Sequence, residues 1–238
     1  QMPRYGTINS DYIASWFQRA AAGGPMWALN LMKYREQADY ADGRETALSG
    51  VEADDLYAPH EHLAAVGSRI ILVAPVVHQL VGDDTRWDRI AIAQYRNRMA
   101  MIEMSSNDEF RESESHKDAG MESTIVMATF PMEGDPVPPQ ASAVDPDLLL
   151  LQVVGDGAAT DIAHEIESVR IGRFWVEDRF LGDHRTFAEA RYDLISPAVA
   201  DELAAHDYEH DDSRYVVIAH PVFNEVARSL GDPGRVLF

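Results

Sequence analysis

The segment PMEGDPVPPQASAVDPD, residues 131–147, separates the chain into two halves that carry the same pattern. Its five prolines remove backbone donors and restrict the residues before them, so a helix or strand that enters the segment ends there. The other positions are mostly small or acidic, which is typical of a linker rather than of a folded element. We therefore predict a proline-rich linker at 132–147 between two folded units.

Both sides of the linker show the same order of predicted strands and helices. Alternating apolar positions indicate strands, and apolar positions spaced three and four apart indicate helices. The first half reads strand, helix, strand, strand, helix, strand at residues 26–34, 52–66, 69–81, 87–95, 97–105 and 123–130. The second half repeats this order at residues 148–154, 158–168, 169–181, 185–195, 197–206 and 214–220. Each half therefore follows the pattern βαββαβ.

Four groups of residues can be matched between the halves. They are Leu29-Asn30-Leu31 with Leu151-Gln152-Val153, Arg69-Ile70 with Arg170-Ile171, Gly82-Asp83 with Gly182-Asp183, and Tyr95 with Tyr192. The matches and their similar spacing predict a diverged tandem duplication. The predicted boundaries are an N-terminal extension at 1–25, a first unit at 26–131, the linker, a second and degenerate unit at 148–223, and a C-terminal tail at 224–238.

A βαββαβ unit is the pattern of the ferredoxin-like fold, a four-stranded antiparallel sheet with both helices on one face. The other face of such a sheet is bare, and a bare apolar face needs a cover. The second half of the chain can supply that cover, as can a partner chain in a homodimer. We predict an α+β fold in which two ferredoxin-like units of one chain place their sheets against each other.

The strand at 26–34, MWALNLMKY, has two different faces. One face carries Trp27, Leu29 and Leu31, and the other carries the mixed set Ala28, Asn30, Met32 and Tyr34. We assign the apolar face to the helices and the mixed face to the interior between the sheets. Arg89 and Tyr95 of the strand at 87–95 fall on the same side as the mixed set. These side chains are then the predicted lining of an interior cavity.

The composition narrows the functional classes. The chain has 20 basic and 40 acidic residues, and its formal net charge of −20 repels nucleic acid and anionic lipid. It has no cysteine, which excludes disulfides, thiolate nucleophiles and cysteine-ligated metals. No apolar run is long enough for a membrane helix, and no signal peptide is recognisable. We expect a soluble, cytoplasmic protein that binds a small-molecule substrate and neither nucleic acid nor membrane.

Three segments of the first half resemble the dimeric α/β-barrel superfamily. They are LNLMKY at 29–34, AAVGSRIIL at 64–72 and FRESESHKDAGMESTIVMATFP at 110–131. Within that superfamily the chain most resembles a small bacterial family of unknown function, while its second half resembles a degenerate copy without the histidine-containing segment. The resemblance implies a two-sheet barrel of paired units, here formed by a tandem fusion.

The same superfamily includes small monooxygenases, lactone isomerases, chlorite dismutase-like haem proteins and dye-decolourising peroxidases. This range is too broad for the fold to select a reaction. The resemblance to the bacterial family implies pocket-facing positions for the polar residues Asn30, Tyr34, Tyr57 and His116.

The predicted catalytic residues are His116, Tyr34 and Tyr95. A histidine exchanges protons near neutral pH, so His116 is a candidate general base, although its acidic neighbours are also typical of a surface histidine. Tyr34 and Tyr95 stand near strand ends and can donate phenolic hydrogen bonds to a bound oxygen, or pack with the hydroxyl at the rim.

The predicted substrate-binding residues are Asn30, Arg89, Tyr57, Met32 and Gln152. Asn30 lies among apolar neighbours, and a buried amide must be hydrogen-bonded, either to a ligand or to the protein. Gln152 occupies the matched position of the second half. A buried guanidinium such as that of Arg89 needs a carboxylate or an anionic ligand.

We expect no metal site and no cofactor. His206 and His210 have a ligand spacing, but their acidic surroundings favour a solvated surface. Haem stays an alternative, through His78, His116 or His220. The polar segment at 35–50 has no counterpart in the second half, and we predict that it forms a lid in which Tyr40 and Arg44 reach inward.

The residue set favours a cofactor-independent enzyme that performs isomerase, cyclase or lyase chemistry on a small, partly apolar metabolite. Such reactions need a proton-transfer group and a polarised carbonyl in a water-poor cavity. The alternatives are a non-catalytic small-molecule binding protein and a haem- or metal-dependent oxidoreductase of the monooxygenase kind.

Overall fold

The computed structural model describes residues 3–19, 23–57, 59–135, 147–155 and 161–231. Most of the predicted linker and the start of the predicted helix at 158–168 lie outside these ranges. Within them, ten strands are present: β1 (Thr7–Ile8), β2 (Met26–Tyr34), β3 (Arg69–Val81), β4 (Arg89–Tyr95), β5 (Met121–Pro131), β6 (Leu148–Val154), β7 (Val169–Gly182), β8 (Glu189–Ile195), β9 (Arg214–Ala219) and β10 (Phe223–Asn224).

The same described ranges contain seven α-helices and a short 3-10 helix at Ile162–Glu165. The α-helices are α1 (Ser10–Arg19), α2 (Gly50–Tyr57), α3 (His60–Ala65), α4 (Arg98–Ser105), α5 (Asp108–Gly120), α6 (Pro197–Ala204) and α7 (Val226–Gly231). The described part of the predicted helix at 158–168 contains only the 3-10 helix.

Eight of the strands form a closed antiparallel barrel. Their hydrogen-bonded order is β7-β5-β2-β4-β3-β9-β6-β8, and β8 pairs with β7 to close the ring. Each half of the chain supplies four adjacent strands in the same relative order, β5-β2-β4-β3 in the first and β9-β6-β8-β7 in the second. The halves meet where β5 pairs with β7 and where β3 pairs with β9. The prediction of a mixed α+β fold built on a two-half barrel is confirmed.

The barrel interior is filled by apolar side chains from both halves, which we call the barrel core. Its members include Trp27, Leu29, Leu31, Ile90, Ile92, Leu149, Leu151, Phe174, Tyr192 and Tyr215. The interior of an eight-stranded barrel is just wide enough for side chains to fill it. The two halves therefore share one core and hide their sheet faces against each other.

The alternation of β2 is as predicted, but its two faces are exchanged. Trp27 and Leu29 point into the barrel core, whereas Ala28 packs beneath the helices with Leu63 and Phe110. The prediction that the mixed polar set lines an interior cavity is therefore wrong. The physical reason is volume, because large apolar side chains are needed to fill the barrel at protein density, while alanines on the outer face let helices approach closely.

The turns that follow β3 and β7 have the same structure. Gly82 and Gly182 have φ angles of +156° and +147°, which side chains disfavour. The next residue in each turn is an aspartate whose Oδ1 accepts a hydrogen bond at 2.9 Å from the backbone N–H two positions later. The predicted match of Gly82-Asp83 with Gly182-Asp183 is therefore present in the structure as two turns of the same kind.

The predicted match of Tyr95 with Tyr192 is wrong. Leu29 of β2 lies opposite Ile92, and its counterpart Leu151 of β6 lies opposite Tyr192. Tyr192 therefore belongs to the barrel core, while Tyr95 faces the helices. The two tyrosines look equivalent in sequence only because short apolar strands resemble one another.

Segments outside the two predicted units also join the fold. β1 pairs with the end of β7, and Trp16 of α1 contacts Phe180 edge to face at 5.5 Å. Val226 of α7 packs into the barrel core, where the Trp27 Nε1–H donates to Ser229 Oγ at 2.9 Å. Both ends of the described chain are thereby tied to the barrel.

Candidate functional site

The candidate site lies outside the barrel, between the outer face of β2 and β4 and the helices α2 and α5. These two helices approach each other at Gly50 and Gly120. A Cβ atom on Gly120 would lie 2.2 Å from Gly50 O, and one on Gly50 would lie 2.4 Å from Gly120 O. Because no side chain fits there, the two glycines bring the polar residues of both helices together above the sheet.

Each helix presents one polar face toward the site. Asp54 and Tyr57 of α2, and Glu114 and Lys117 of α5, are each spaced three residues apart and therefore share a helix face. α5 begins at an Asn107 cap, whose side chain accepts a hydrogen bond from Phe110 N at 3.1 Å.

Two tyrosines, Tyr5 and Tyr57, lie beside Lys117, and two more pack with them. We call this group the tyrosine–lysine cluster: Tyr5, Tyr34, Tyr57, Tyr95 and Lys117. The Lys117 Nζ lies 5.1 Å from the ring centroid of Tyr57 and 5.9 Å from that of Tyr5. Tyr34 packs with Tyr5, and Tyr57 packs against the group that contains Tyr95. Among the described residues, no carboxylate lies within ion-pair distance of Lys117 and no hydrogen bond reaches its Nζ.

A carboxylate network fixes one side of the cluster. The Tyr34 hydroxyl donates to Asp54 Oδ2 at 2.6 Å, and Arg89 Nη1 lies 3.5 Å from the same oxygen. Arg89 Nη1 also donates to Asp55 Oδ1 at 2.9 Å, and its guanidinium lies 5.3 Å from the Tyr34 ring centroid. Arg89 is thus satisfied by two carboxylates of α2, and Tyr34 is held in one orientation.

The floor of the site is the pair of strand residues Asn30 and Ala91. They lie opposite each other in β2 and β4, and both are only half-buried, although their neighbours Ala28 and Ala93 are buried under helices. Asn30 Nδ2 donates to Ala28 O at 2.9 Å. The helix layer therefore does not fully cover the sheet at Asn30 and Ala91, and we call this half-exposed part of the sheet the opening. Ala91 packs against the group that contains Tyr5 and Tyr34.

Burial changes the protonation of the groups around this opening. It lowers the pKa of Lys117, although Asp54 and Glu114 oppose the shift. It raises the pKa of Glu114, with Lys117 opposing. It also raises the pKa of Tyr34, together with the charge of Asp54. The tyrosines are therefore neutral hydrogen-bond donors at neutral pH, and Lys117 holds more free amine than an exposed lysine does.

His116 lies on a different side of α5 from this opening. Its Nδ1 is hydrogen-bonded to the Tyr40 hydroxyl at 2.7 Å, and the Arg44 guanidinium lies 3.7 Å from the Tyr40 ring centroid. The segment at 35–50 is anchored to the end of α5, where Asp39 N donates to Ala119 O at 2.9 Å. The lid prediction is wrong for Arg44, whose side chain is 48% exposed and covers Tyr40 from outside.

Gln152 belongs to a separate polar region of the second half. Its Nε2 donates to Asp161 Oδ1 at 2.6 Å, which pins the 3-10 helix to β6. Beside it lies a cavity of about 600 Å³, here called the arginine pocket, lined by Asp161, Ala163, His164, Ser168, Arg170, Arg173, Arg191 and Asp193. Arg170 donates to Asp193 at 2.6 Å and to Asp161 at 2.7 Å.

A second cavity, of about 400 Å³, adjoins β7 and the segment before β8. It lies where the register between β5 and β7 shifts, and its lining includes Met127, Trp175 and Phe187. The residues that line it include no predicted site residue.

The structure brings together six of the predicted site residues: Tyr34, Tyr95, Asn30, Arg89, Tyr57 and Met32. It leaves His116 and Gln152 apart from them. Lys117, Glu114, Asp54 and Tyr5 are the site residues that sequence reasoning missed. The three-residue spacing of polar side chains in α5 is a helical signal, but the helix itself was not predicted because its sequence is dominated by charges.

The histidines considered for haem lie at separate places. His78 and His220 are exposed, and His116 is paired with Tyr40. Across the described ranges, no three histidine, aspartate or glutamate side chains are grouped so that they could hold a metal ion. None of the helices in these ranges has the length and apolar character needed to cross a bilayer.

No protein-family model matches the chain, and no curated protein matches it. Two crystal structures of RPA0582, a protein of unknown function from Rhodopseudomonas palustris, are similar to part of it. The methylated protein is 29% identical over 52% of this chain and 93% of its own, with a TM-score of 0.45. The other structure is 26% identical over 50% of this chain and 93% of its own, with a TM-score of 0.43.

A third similar structure is a mutant chlorite dismutase from Candidatus Nitrospira defluvii in complex with cyanide. It is 10% identical over 93% of this chain and 99% of its own, with a TM-score of 0.42.

Proposed function

We propose that this protein is a cofactor-independent enzyme that performs acid–base chemistry on a small, partly apolar metabolite at the tyrosine–lysine cluster. Isomerisation, cyclisation and lyase reactions all fit this site, since each needs a group that moves a proton and a donor that polarises a carbonyl.

The observation that carries the proposal is the surroundings of Lys117. Its ammonium lies against the rings of Tyr57 and Tyr5, with no carboxylate at ion-pair distance among the described residues. A structural lysine normally ends in water or on a carboxylate, because a buried charge is costly without a partner. A lysine held beside an opening in this way is suited to take and return a proton.

The remaining residues of the site have supporting roles in this proposal. Tyr57 is a neutral phenol next to Lys117 and can donate to a substrate oxygen. Asn30 keeps a second amide N–H for a ligand after its bond to Ala28. Tyr34 is committed to Asp54, so it positions the wall of the site rather than moving a proton.

Deuterium exchange tests the proposed chemistry without knowledge of the natural substrate. A panel of small ketones and aldehydes is incubated with the protein in D₂O, and loss of the proton next to the carbonyl is followed by NMR. We expect exchange with the wild-type protein, loss of exchange in Lys117→Met, and normal exchange in Lys33→Arg. Normal exchange in Lys117→Met combined with loss in His116→Ala would contradict the proposal and return the proton-transfer role to His116.

The arginine pocket supports a second candidate function, binding of a small molecule without catalysis. Arg191 Nη1 and Asp193 Oδ2 are buried there and have no hydrogen-bond partner among the described residues. A carboxamide offers both the acceptor and the donor that these atoms lack. Calorimetric titration with acetamide and benzamide tests this, and equal heats from wild-type protein and Arg191→Met would refute it.

We also propose that the two halves are ferredoxin-like units of the dimeric α/β-barrel superfamily, joined by duplication and fusion. The shared strand order and the repeated turns at Gly82 and Gly182 support this. Because the halves already cover each other, the barrel needs no second chain. Light scattering on the purified protein decides whether a homodimer forms through another surface, and the expected monomer mass is 26.5 kDa.

A further inference from the structure

We propose that Lys117 is a nucleophilic amine that forms a reversible imine with a small, uncharged aldehyde or ketone. This inference rests on the proposed function, since it places the substrate in the same site, and it adds the class of substrate and the covalent step.

The geometry distinguishes Lys117 from Lys33, the other lysine of the chain. Lys33 Nζ forms an ion pair with Asp88 Oδ1 at 3.2 Å. Lys117 Nζ instead faces the rings of Tyr5 and Tyr57. A ring face stabilises a cation less than a carboxylate does, so the neutral, nucleophilic amine is more accessible at Lys117.

In this proposal a carbonyl compound approaches the partly exposed Lys117 over Asn30 and Ala91. Both residues keep solvent contact in the middle of the sheet. The wall formed by Met32, Tyr34 and Tyr5 is apolar apart from the two tyrosine hydroxyls, of which Asp54 binds that of Tyr34. An aliphatic or aromatic substituent on the carbonyl carbon can therefore be desolvated against this wall.

The charges of the site favour an uncharged substrate. Arg89 is already paired with Asp54 and Asp55, so it offers no free counter-charge to a carboxylate or phosphate. Lys117 itself must be neutral to react. The net charge of −20 further lowers the local concentration of anions around the protein.

The reaction is balanced without an oxidant or a reductant. The lone pair of the Lys117 nitrogen forms a bond to the carbonyl carbon, and the π electrons move to the carbonyl oxygen, which takes up a proton. The nitrogen then loses a proton, which gives a neutral carbinolamine. A second proton goes to its hydroxyl group, so that water leaves as the C–O bond breaks and the nitrogen lone pair forms the C=N bond. The iminium ion that results loses its remaining N–H proton to give the imine. Glu114 lies three residues before Lys117 on α5, and burial raises its pKa, so its carboxyl group is placed to supply and recover these protons.

Reductive trapping tests this step directly. Full-length protein is incubated at pH 7 with butanal and sodium cyanoborohydride, which converts an imine into a stable butyl amine, and the modified residue is located by peptide mass mapping. We expect the butyl group mainly on Lys117. The variant Lys33→Arg should label Lys117 as the wild type does, and the variant Lys117→Arg should lose this label. Urea-unfolded protein is the control for intrinsic reactivity, and both lysines should then label equally.

The outcomes separate this inference from the proposed function. Labelling in the folded protein that is equal at both lysines, or confined to Lys33 and the amino terminus, would overturn the imine, and this result needs no folded variant. Exchange in D₂O that depends on Lys117 but yields no trapped product would leave acid–base catalysis intact and refute only the covalent step. Trapping at Lys117 without any exchange would refute the acid–base proposal and keep the imine.

Discussion

The substitution Gly120→Ala places a methyl group at the closest contact between α2 and α5. The added Cβ would lie 2.2 Å from Gly50 O and 3.2 Å from the Ala53 side chain. Both α2 and the end of α5 are held by backbone hydrogen bonds to Arg35, whose N–H donates to Gly120 O and whose carbonyl accepts from Gly50 N. The clash is therefore with backbone, which cannot move away as a flexible side chain does.

The expected loss of stability is about 2 kcal/mol. Overpacking of a tight contact costs about 1–3 kcal/mol, and a clash with backbone belongs at the upper end of that range. Alanine in a helix is more favourable than glycine by at most about 1 kcal/mol, which offsets part of this cost. For a chain of this length, a net loss of about 2 kcal/mol lowers Tm by about 4–8 °C.

The assay is thermal unfolding followed by circular dichroism, with Gly24→Ala as the matched control. A Cβ on Gly24 meets no atom within 4 Å, so this variant should unfold within about 0.5 kcal/mol of the wild type. A Tm of Gly120→Ala equal to or above that of the wild type would refute the close approach of the two helices, and with it the placement of Lys117 beside Tyr57.

Three further predictions follow from the barrel and the site. Trp27→Ala should lower the free energy of unfolding in urea by about 3–5 kcal/mol, because it leaves a cavity in the barrel core. A loss below about 1 kcal/mol would contradict the position of the Trp27 side chain inside the barrel. Tyr34→Phe should lower the free energy of unfolding by about 1–3 kcal/mol, because the half-buried Asp54 loses a hydrogen-bond donor. An unchanged urea midpoint would show that this hydrogen bond does not stabilise the protein. The folded state holds the proton of Glu114 to higher pH than the unfolded state does, so the contribution of Glu114 to stability becomes less favourable as pH rises above 4.5. Glu114→Gln should therefore be more stable than the wild type at pH 7, with the difference shrinking toward pH 4; a difference independent of pH would contradict the raised pKa.

The strands were predictable because their signal is local. The bounds predicted for the strands at 26–34, 69–81 and 148–154 are the observed bounds of β2, β3 and β6. Alternation of side chains along a strand follows from backbone geometry alone, so it survives in any tertiary context. The helix α5 was missed because its apolar positions are few, and its stability comes from packing against α2 and the sheet rather than from an amphipathic pattern.

The grouping of several candidate residues on one sheet face was predictable, and the position of that face was not. Asn30, Tyr34 and Arg89 share one face of the sheet, and alternation groups them correctly. Alternation divides the side chains of a strand between two faces, however, and does not determine which of these faces the helices cover. That choice depends on the volume that a closed ring of eight strands must fill.

The sequence by itself determined two halves of similar pattern, the alternation of their strands and the scarcity of lysine. Only the tertiary structure decided that the large apolar face fills the barrel, and that Lys117 on an unpredicted helix meets Tyr5 from the opposite end of the first half. The physical reason is that local propensity acts over a few residues. Contacts such as that of Gly50 with Gly120 join positions 70 residues apart, and they exist only once the chain has closed on itself.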